Sequence, residues 1–248
     1  MINIKYDLNE IRDKRIHIKM LLFEKSADIK SESFSKISER DLYILFELYD
    51  EIFLEGWFKK NFKGKIKFIL SRQLKSAAGN TRTKKNTAQI QNENPEFEVK
   101  ISLNHLSDFD KIDRTKYVGG IEVHSILDSL MLVFEHELCH VIEFIIFKKS
   151  SCRKKPFKEM IFNVFGHTET THKLVGANEI NMQKFGLKPG DSVRFQYNGK
   201  LINGFIQRIN KRATVMSPDK QGNYIDKSGK RYKKFYVPLE GLIKTDYI

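Results

Sequence analysis

The pentad His136-Glu137-Leu138-Cys139-His140 constrains this chain more than any other feature. It lies in a long apolar stretch where Ile126, Leu130, Val133, Phe134, Val141, Ile142, Phe144 and Ile145 recur at helical spacing. On a helix, positions i and i+4 project from one face, so the two imidazoles can reach one metal ion. Glu137 stands beside them, where it can take a proton from a bound water. This is the smallest constellation for metal-assisted peptide hydrolysis, with Zn2+ the expected ion. Two histidines on an apolar face can also be ordinary core residues. Against that, Glu135, Glu137 and Glu143 share the stretch, and carboxylates are rarely buried without partners.

With 248 residues and 40% hydrophobic content, the chain can bury a real core as one large domain or two small ones. No apolar run is long enough to cross a bilayer. The start, Met1 to Asp13, has no apolar signal core, and the only cysteines are Cys139 and Cys152. Both observations lead to the expectation of a reducing, intracellular setting (cytoplasm, nucleoid or nucleus). The formal net charge of +13 favours polyanionic partners. From Gly186 onward there are 13 Lys/Arg against 5 Asp/Glu, so this quarter of the chain carries about +8 of that charge.

Composition and periodicity divide the chain into three parts. Residues 1–33 are polar and weakly periodic, and are expected to form a flexible arm with a short helix near Ile11–Phe23. Residues 34–180 are expected to form the domain that holds the pentad. Its first helix is capped by Ser38 and carries Leu42, Leu45, Phe46, Tyr49, Ile52 and Phe53. Strands are expected at Lys65–Leu74, Ala77–Lys84 and Phe97–Leu103, with a loop over Lys84–Pro95. The pentad helix is expected over Val123–Lys149. A basic turn, Ser150–Lys155, leads to a shorter helix near Pro156–Phe165, ended by Gly166. Residues 186–248 carry short β-like runs at Ser192–Tyr197, Leu201–Ile209, Ala213–Met216 and Lys234–Pro238. Turns are expected at Asn198-Gly199 and Asn203-Gly204, and the whole is read as a small closed barrel.

Several of these pieces resemble, in order, the SprT-like zinc metalloprotease domain. They are Leu48-Tyr49-Asp50-Glu51-Ile52-Phe53-Leu54-Glu55-Gly56-Trp57-Phe58, the glycine-led Ala78-Gly79-Asn80-Thr81-Arg82, Ile101-Ser102-Leu103-Asn104, and the pentad. Phe157 and Phe165-Gly166-His167-Thr168 with His172 extend the likeness, which covers residues 38–175. The resemblance implies an α+β, zincin-like domain with a small sheet and an active-site helix. It implies a water-activated peptidase, and protein substrates attached to DNA. An extended substrate is expected to add alongside Phe97–Leu103.

The chain departs from this family at one ligand. Relatives usually draw the third zinc ligand from a His-Gly pair four residues before the residue matching Phe157; here Arg153 and Lys154 stand in those positions. Arginine stays protonated and cannot ligate zinc. Four candidates remain for the third place. His167, in a polar turn with a second histidine, stands first, although about ten residues of helix put it roughly 15 Å from the helix start. Cys152 offers a thiolate next to the expected position. Glu159 lies on the following helix, near the spacing of two-histidine, one-glutamate sites. His172 is a further imidazole.

The tail interleaves aromatic with basic residues, among them Arg194, Arg208, Lys211, Arg212, Lys230, Arg231, Lys233 and Lys234. Gly190-Asp191-Ser192-Val193 with Gly204 resembles SH3-like barrels of nucleic-acid proteins. Such a surface can hold a phosphate backbone and stack bases, DNA being preferred to RNA as the partner. Aromatics in the core with lysines on a solvated face is the plainer reading. Three functional readings follow: a zinc endopeptidase recruited to nucleic acid, a non-catalytic nucleic-acid-binding protein with a degenerate zincin domain, and a zinc-stabilised structural domain.

Overall fold

A computed structural model describes residues 2–75, 77–83 and 95–246. The chain is mixed α+β and divides into two compact units, Met1–Leu174 and Val175–Ile248.

The first unit begins with the helix expected near Ile11–Phe23, longer than expected and packed rather than part of a flexible arm. α1 (Leu8–Lys25) starts at a capping box: Asp7 accepts from the Asn9 and Glu10 amides, and the Glu10 carboxylate accepts from the Asp7 amide. It buries Ile11, Ile18 and Leu22. These lie at i, i+7 and i+11, a stripe so narrow that the charged residues around it mask the period. The following segment is tied down too, with Ile29 fully buried. α2 (Glu39–Ile52) starts at the expected Ser38 cap and buries Leu42, Leu45, Leu48 and Tyr49. α3 (Trp57–Asn61) follows a left-handed turn at Glu55 and Gly56.

Three strands, β1 (Lys65–Ser71), β2 (Gly79–Thr83) and β3 (Glu96–Ser102), form a sheet in the order β1-β3-β2. β1 runs parallel to β3, pairing Ile66 with Phe97 and Phe68 with Val99, while β2 runs antiparallel to β3. The expected alternation is seen in β3, where Phe97, Val99 and Ile101 are buried. Of the expected Lys84–Pro95 loop, residues 84–94 lie outside the described residues. β3 is central and both its edges are taken. A substrate strand therefore cannot add to Phe97–Leu103 as expected; among the described residues the free edge on the pentad side belongs to β2.

α4 (Leu103–Ser107) leads to a hairpin outside the expected elements. β4 (Lys116–Val118) and β5 (Ile121–Val123) are joined by Gly119 and Gly120 at φ +60° and +79°. Two positive φ angles in a two-residue turn explain the Gly-Gly pair. A third short strand, β6 (His172–Lys173), pairs with β4. α5 (Ile126–Phe147) is the pentad helix, capped by Ser125, and α6 (Lys155–Phe165) has Pro156 in its first turn and ends at Gly166, φ +71°. Phe134, Leu138, Val141, Ile142, Phe157 and Phe165 of these helices lie in the core with α2 and the sheet.

The second unit starts earlier than the expected residue 186. α7 (Ala177–Phe185) belongs to it, because Met182 and Phe185 pack against its core. Six strands follow: β7 (Ser192–Tyr197), β8 (Lys200–Ile209), β9 (Arg212–Pro218), β10 (Tyr224–Ile225), β11 (Arg231–Pro238) and β12 (Ile243–Lys244). They form one antiparallel sheet in the order β10-β11-β9-β8-β7-β12, and no pairing joins β10 to β12 among the described residues. Val193, Phe195, Ile206, Val215, Phe235 and Val237 fill one face. Asn198-Gly199 makes the expected tight turn, both residues at positive φ. Asn203-Gly204 does not turn; it lies within β8, where a Cβ on Gly204 would stand 2.6 Å from the Met216 carbonyl oxygen. This glycine marks a close approach of two strands.

Candidate metal centre

Helical periodicity brings the two pentad histidines together as the spacing demands. Their Nε2 atoms are 3.2 Å apart, and both rings lie against Phe157 at centroid distances of 5.0 and 4.5 Å. Burial, with the neighbouring His172, His140 and His167, pushes His136 down to about 2. Burial pushes His140 down to about 4. Both are therefore neutral, the form that ligates metal. His136, His140 and Cys152 each offer one ligand atom, and the three atoms lie within 4.8 Å of one another. This group can bind a metal ion. Two nitrogens at zinc-ligand distance in a tetrahedral arrangement would be about 3.3 Å apart, close to the separation seen. One imidazole pair and a thiol is also a donor set that suits such an ion.

The other candidates are elsewhere. His167 is buried against Glu135, its Nε2 2.7 Å from Glu135 Oε2. Burial keeps its pKa low and Arg15 carries the positive charge beside Glu135, so a neutral His167 donates to the carboxylate. It is tied to a structural partner and stands outside the ligand group. Glu159 is half-exposed on α6, 3.4 Å from Lys155. His172 does approach the centre: pairing of β6 with β4 sets Val118 opposite it, and its ring centroid is 4.8 Å from that of His136. Its Nδ1 is buried with no partner.

The three glutamates of α5 have three different partners. Glu135 is fully buried, bonded by Arg15 Nε and Nη2 at 2.8 and 2.7 Å, by the Tyr49 hydroxyl at 2.8 Å and by His167. Burial alone would raise its pKa; Arg15 and His167 hold it low. Glu137 accepts from Thr81 Oγ1 at 2.6 Å, and burial raises its pKa to about 7. A Cβ on Gly79 would stand 2.5 Å from Glu137 Oε1, so β2 can lie this close to the pentad only with glycine there. Glu143 accepts from Ser150 Oγ and the Ser151 amide at 2.6 and 2.7 Å. Cys139, the pentad's own cysteine, is fully buried and its thiol is pushed up strongly by burial, which makes it inert. Thr81 and Ser150 carry no signal of their own in the sequence, since hydroxyl residues are common in strands and turns.

In the second unit, strand register sorts the eight basic residues. The core face takes Val193, Phe195, Ile206, Val215 and Phe235, so Arg194, Arg208, Arg212 and Lys234 fall on the other face. Tyr236, 65% exposed, and Tyr224 share that face, with Lys234 Nζ 3.8 Å from the Tyr224 ring centroid. Arg231 and Lys233 have the opposite parity, and Lys211 and Lys230 lie just before β9 and β11.

No protein-family model matches the chain, and no curated protein or solved structure matches it either. Among the described residues no helix is long and apolar enough to cross a membrane.

Proposed function

We propose that the chain is a zinc-dependent endopeptidase of SprT-like, zincin type, acting on proteins held on nucleic acid. The observation that carries this reading is the convergence of His136, His140 and Cys152 one residue from a carboxylate that β2 holds in place. His136, His140 and Cys152 would hold the ion, which would supply Lewis acidity and a more acidic water. Glu137 accepts the proton of the attacking water and returns it to the leaving amide nitrogen. Thr81 fixes the carboxylate for both transfers. The open edge of β2 offers main-chain hydrogen bonds to an extended peptide, which lines its backbone up beside Glu137. The basic face of the second unit recruits nucleic acid, with DNA the first choice, and Tyr236 and Tyr224 are placed to stack on bases.

Cleavage of a DNA-bound protein, followed with and without DNA, tests the proposal. Glu137→Gln is expected to lower the rate by about 10²–10⁴-fold while zinc content stays at the wild-type level. Full activity in that variant removes the mechanism. The exposed Tyr236 and its cationic neighbours favour a second reading, a non-catalytic nucleic-acid-binding protein. That reading prevails if binding is tight and salt-sensitive and no substrate is cut.

A further inference from the structure

One carboxylate is linked, through Ser150 and Ser151, to two members of the candidate ligand group. Glu143 is buried on α5, one turn past His140. Its Oε2 accepts from Ser150 Oγ at 2.6 Å and from the Ser151 amide at 2.7 Å. Ser150 Oγ also lies 2.6 Å from His140 Nδ1. A serine hydroxyl has a single proton. Given to Glu143, that proton leaves the Ser150 oxygen only an acceptor, so His140 must carry its own proton on Nδ1. Its Nε2 is then a bare lone pair, facing His136 Nε2 at 3.2 Å. The Ser151 amide, held by the same oxygen, is the residue before Cys152.

We infer that Glu143 is a positioning residue that presents two of the three metal-binding side chains: His140 through Ser150, and Cys152 through the Ser151 backbone. This rests on reading the group as a metal centre. A histidine ligand commonly hands its second N–H to a carboxylate directly. Here the serine relay draws the loop between α5 and α6 into the same network. The tautomer of one ligand and the place of another therefore depend on one side chain, and the loop that replaces the family's His-Gly pair is anchored from the pentad helix itself.

Cobalt(II) titration of the full-length chain tests this, because a cobalt–thiolate bond gives an intense near-ultraviolet charge-transfer band. The wild type is expected to show that band. Ser150→Ala, a change at a half-buried loop position, is expected to weaken binding about 10–100-fold while the band survives at saturation, and Ser150→Thr to restore affinity. Glu143→Ala is expected to weaken binding at least as much and to lose the band. Glu143→Gln, whose carbonyl oxygen can accept both bonds, should recover most of it. Wild-type affinity and band in both Ser150→Ala and Glu143→Ala would overturn the inference and leave the metal centre standing. A wild-type protein that binds cobalt without the band, or binds none, would overturn the metal centre and the inference together.

Discussion

The two units treat charge in opposite ways. In Met1–Leu174, Asp41, Asp50, Glu135, Glu137, Glu143 and Lys116 are buried along with His136 and His167; in Val175–Ile248 the only buried charged residue among the described residues is Asp191. A buried charge needs a particular partner, and the glutamates of α5 each have one from another segment: Arg15, Thr81 and Ser150. An exposed cation needs none and shares its work with its neighbours. The first unit therefore gives each buried charged group one place, while the second spreads its charge over exposed positions.

This contrast predicts a graded response to substitution. The largest effect on stability is expected for Arg15→Ala, which strips Glu135 of its only formal countercharge while leaving it buried. A loss of about 3 kcal/mol is expected in urea denaturation, the lower end for breaking a buried pair. A loss near zero would mean that Tyr49 and His167 satisfy Glu135 unaided. A smaller effect is expected in the second unit. Arg194→Ala, Arg208→Ala, Arg212→Ala or Lys234→Ala should each weaken DNA binding modestly and reduce the salt slope by about 1. Arg231→Ala and Lys233→Ala, on the other face, should leave the slope nearly unchanged. Equal effects from both sets, read by fluorescence anisotropy at several salt concentrations, would show that register does not choose the surface.

The smallest effect concerns pH. Asp226 accepts from Ser228 Oγ, the Tyr232 hydroxyl and the Lys230 and Ser228 amides, which together bring its pKa down to about 2 from an ordinary 3.8. A carboxyl whose pKa is depressed on folding stabilises above its unfolded value, and that contribution is lost as pH falls through the folded one. The turn at Asp226 should therefore hold at pH 4 and above and loosen as pH approaches about 2. Amide exchange at Ser228 and Lys230 reads this, and Asp226→Asn should flatten the dependence.

Local physics alone decides several elements. The Ser38 cap, the Ile66/Phe68 and Phe97/Val99/Ile101 alternations, the Asn198-Gly199 turn and the helix around the pentad all appear near their expected bounds. Other short patterns have two meanings. The helix expected near Ile11–Phe23 is present, but Ile11, Ile18 and Leu22 form a stripe too thin among charges to show that it packs. Gly204, expected in a turn with Asn203, is a point where strands crowd. Gly119-Gly120 carries a hairpin signal, a pair of residues suited to two positive φ angles.

Sequence by itself determined that His136 and His140 share a helix face with Glu137 one position on, because an i, i+4 relation is a property of the backbone and needs no partner. It also determined where the positive charge collects. Only the tertiary structure decided which side chains meet those histidines. Cys152 joins them because Glu143 holds the loop that bears it, while His167, the first candidate by residue type, is held by Glu135 instead. Such contacts run through a loop or between separate elements, and their geometry depends on how the helices pack, which no local spacing encodes.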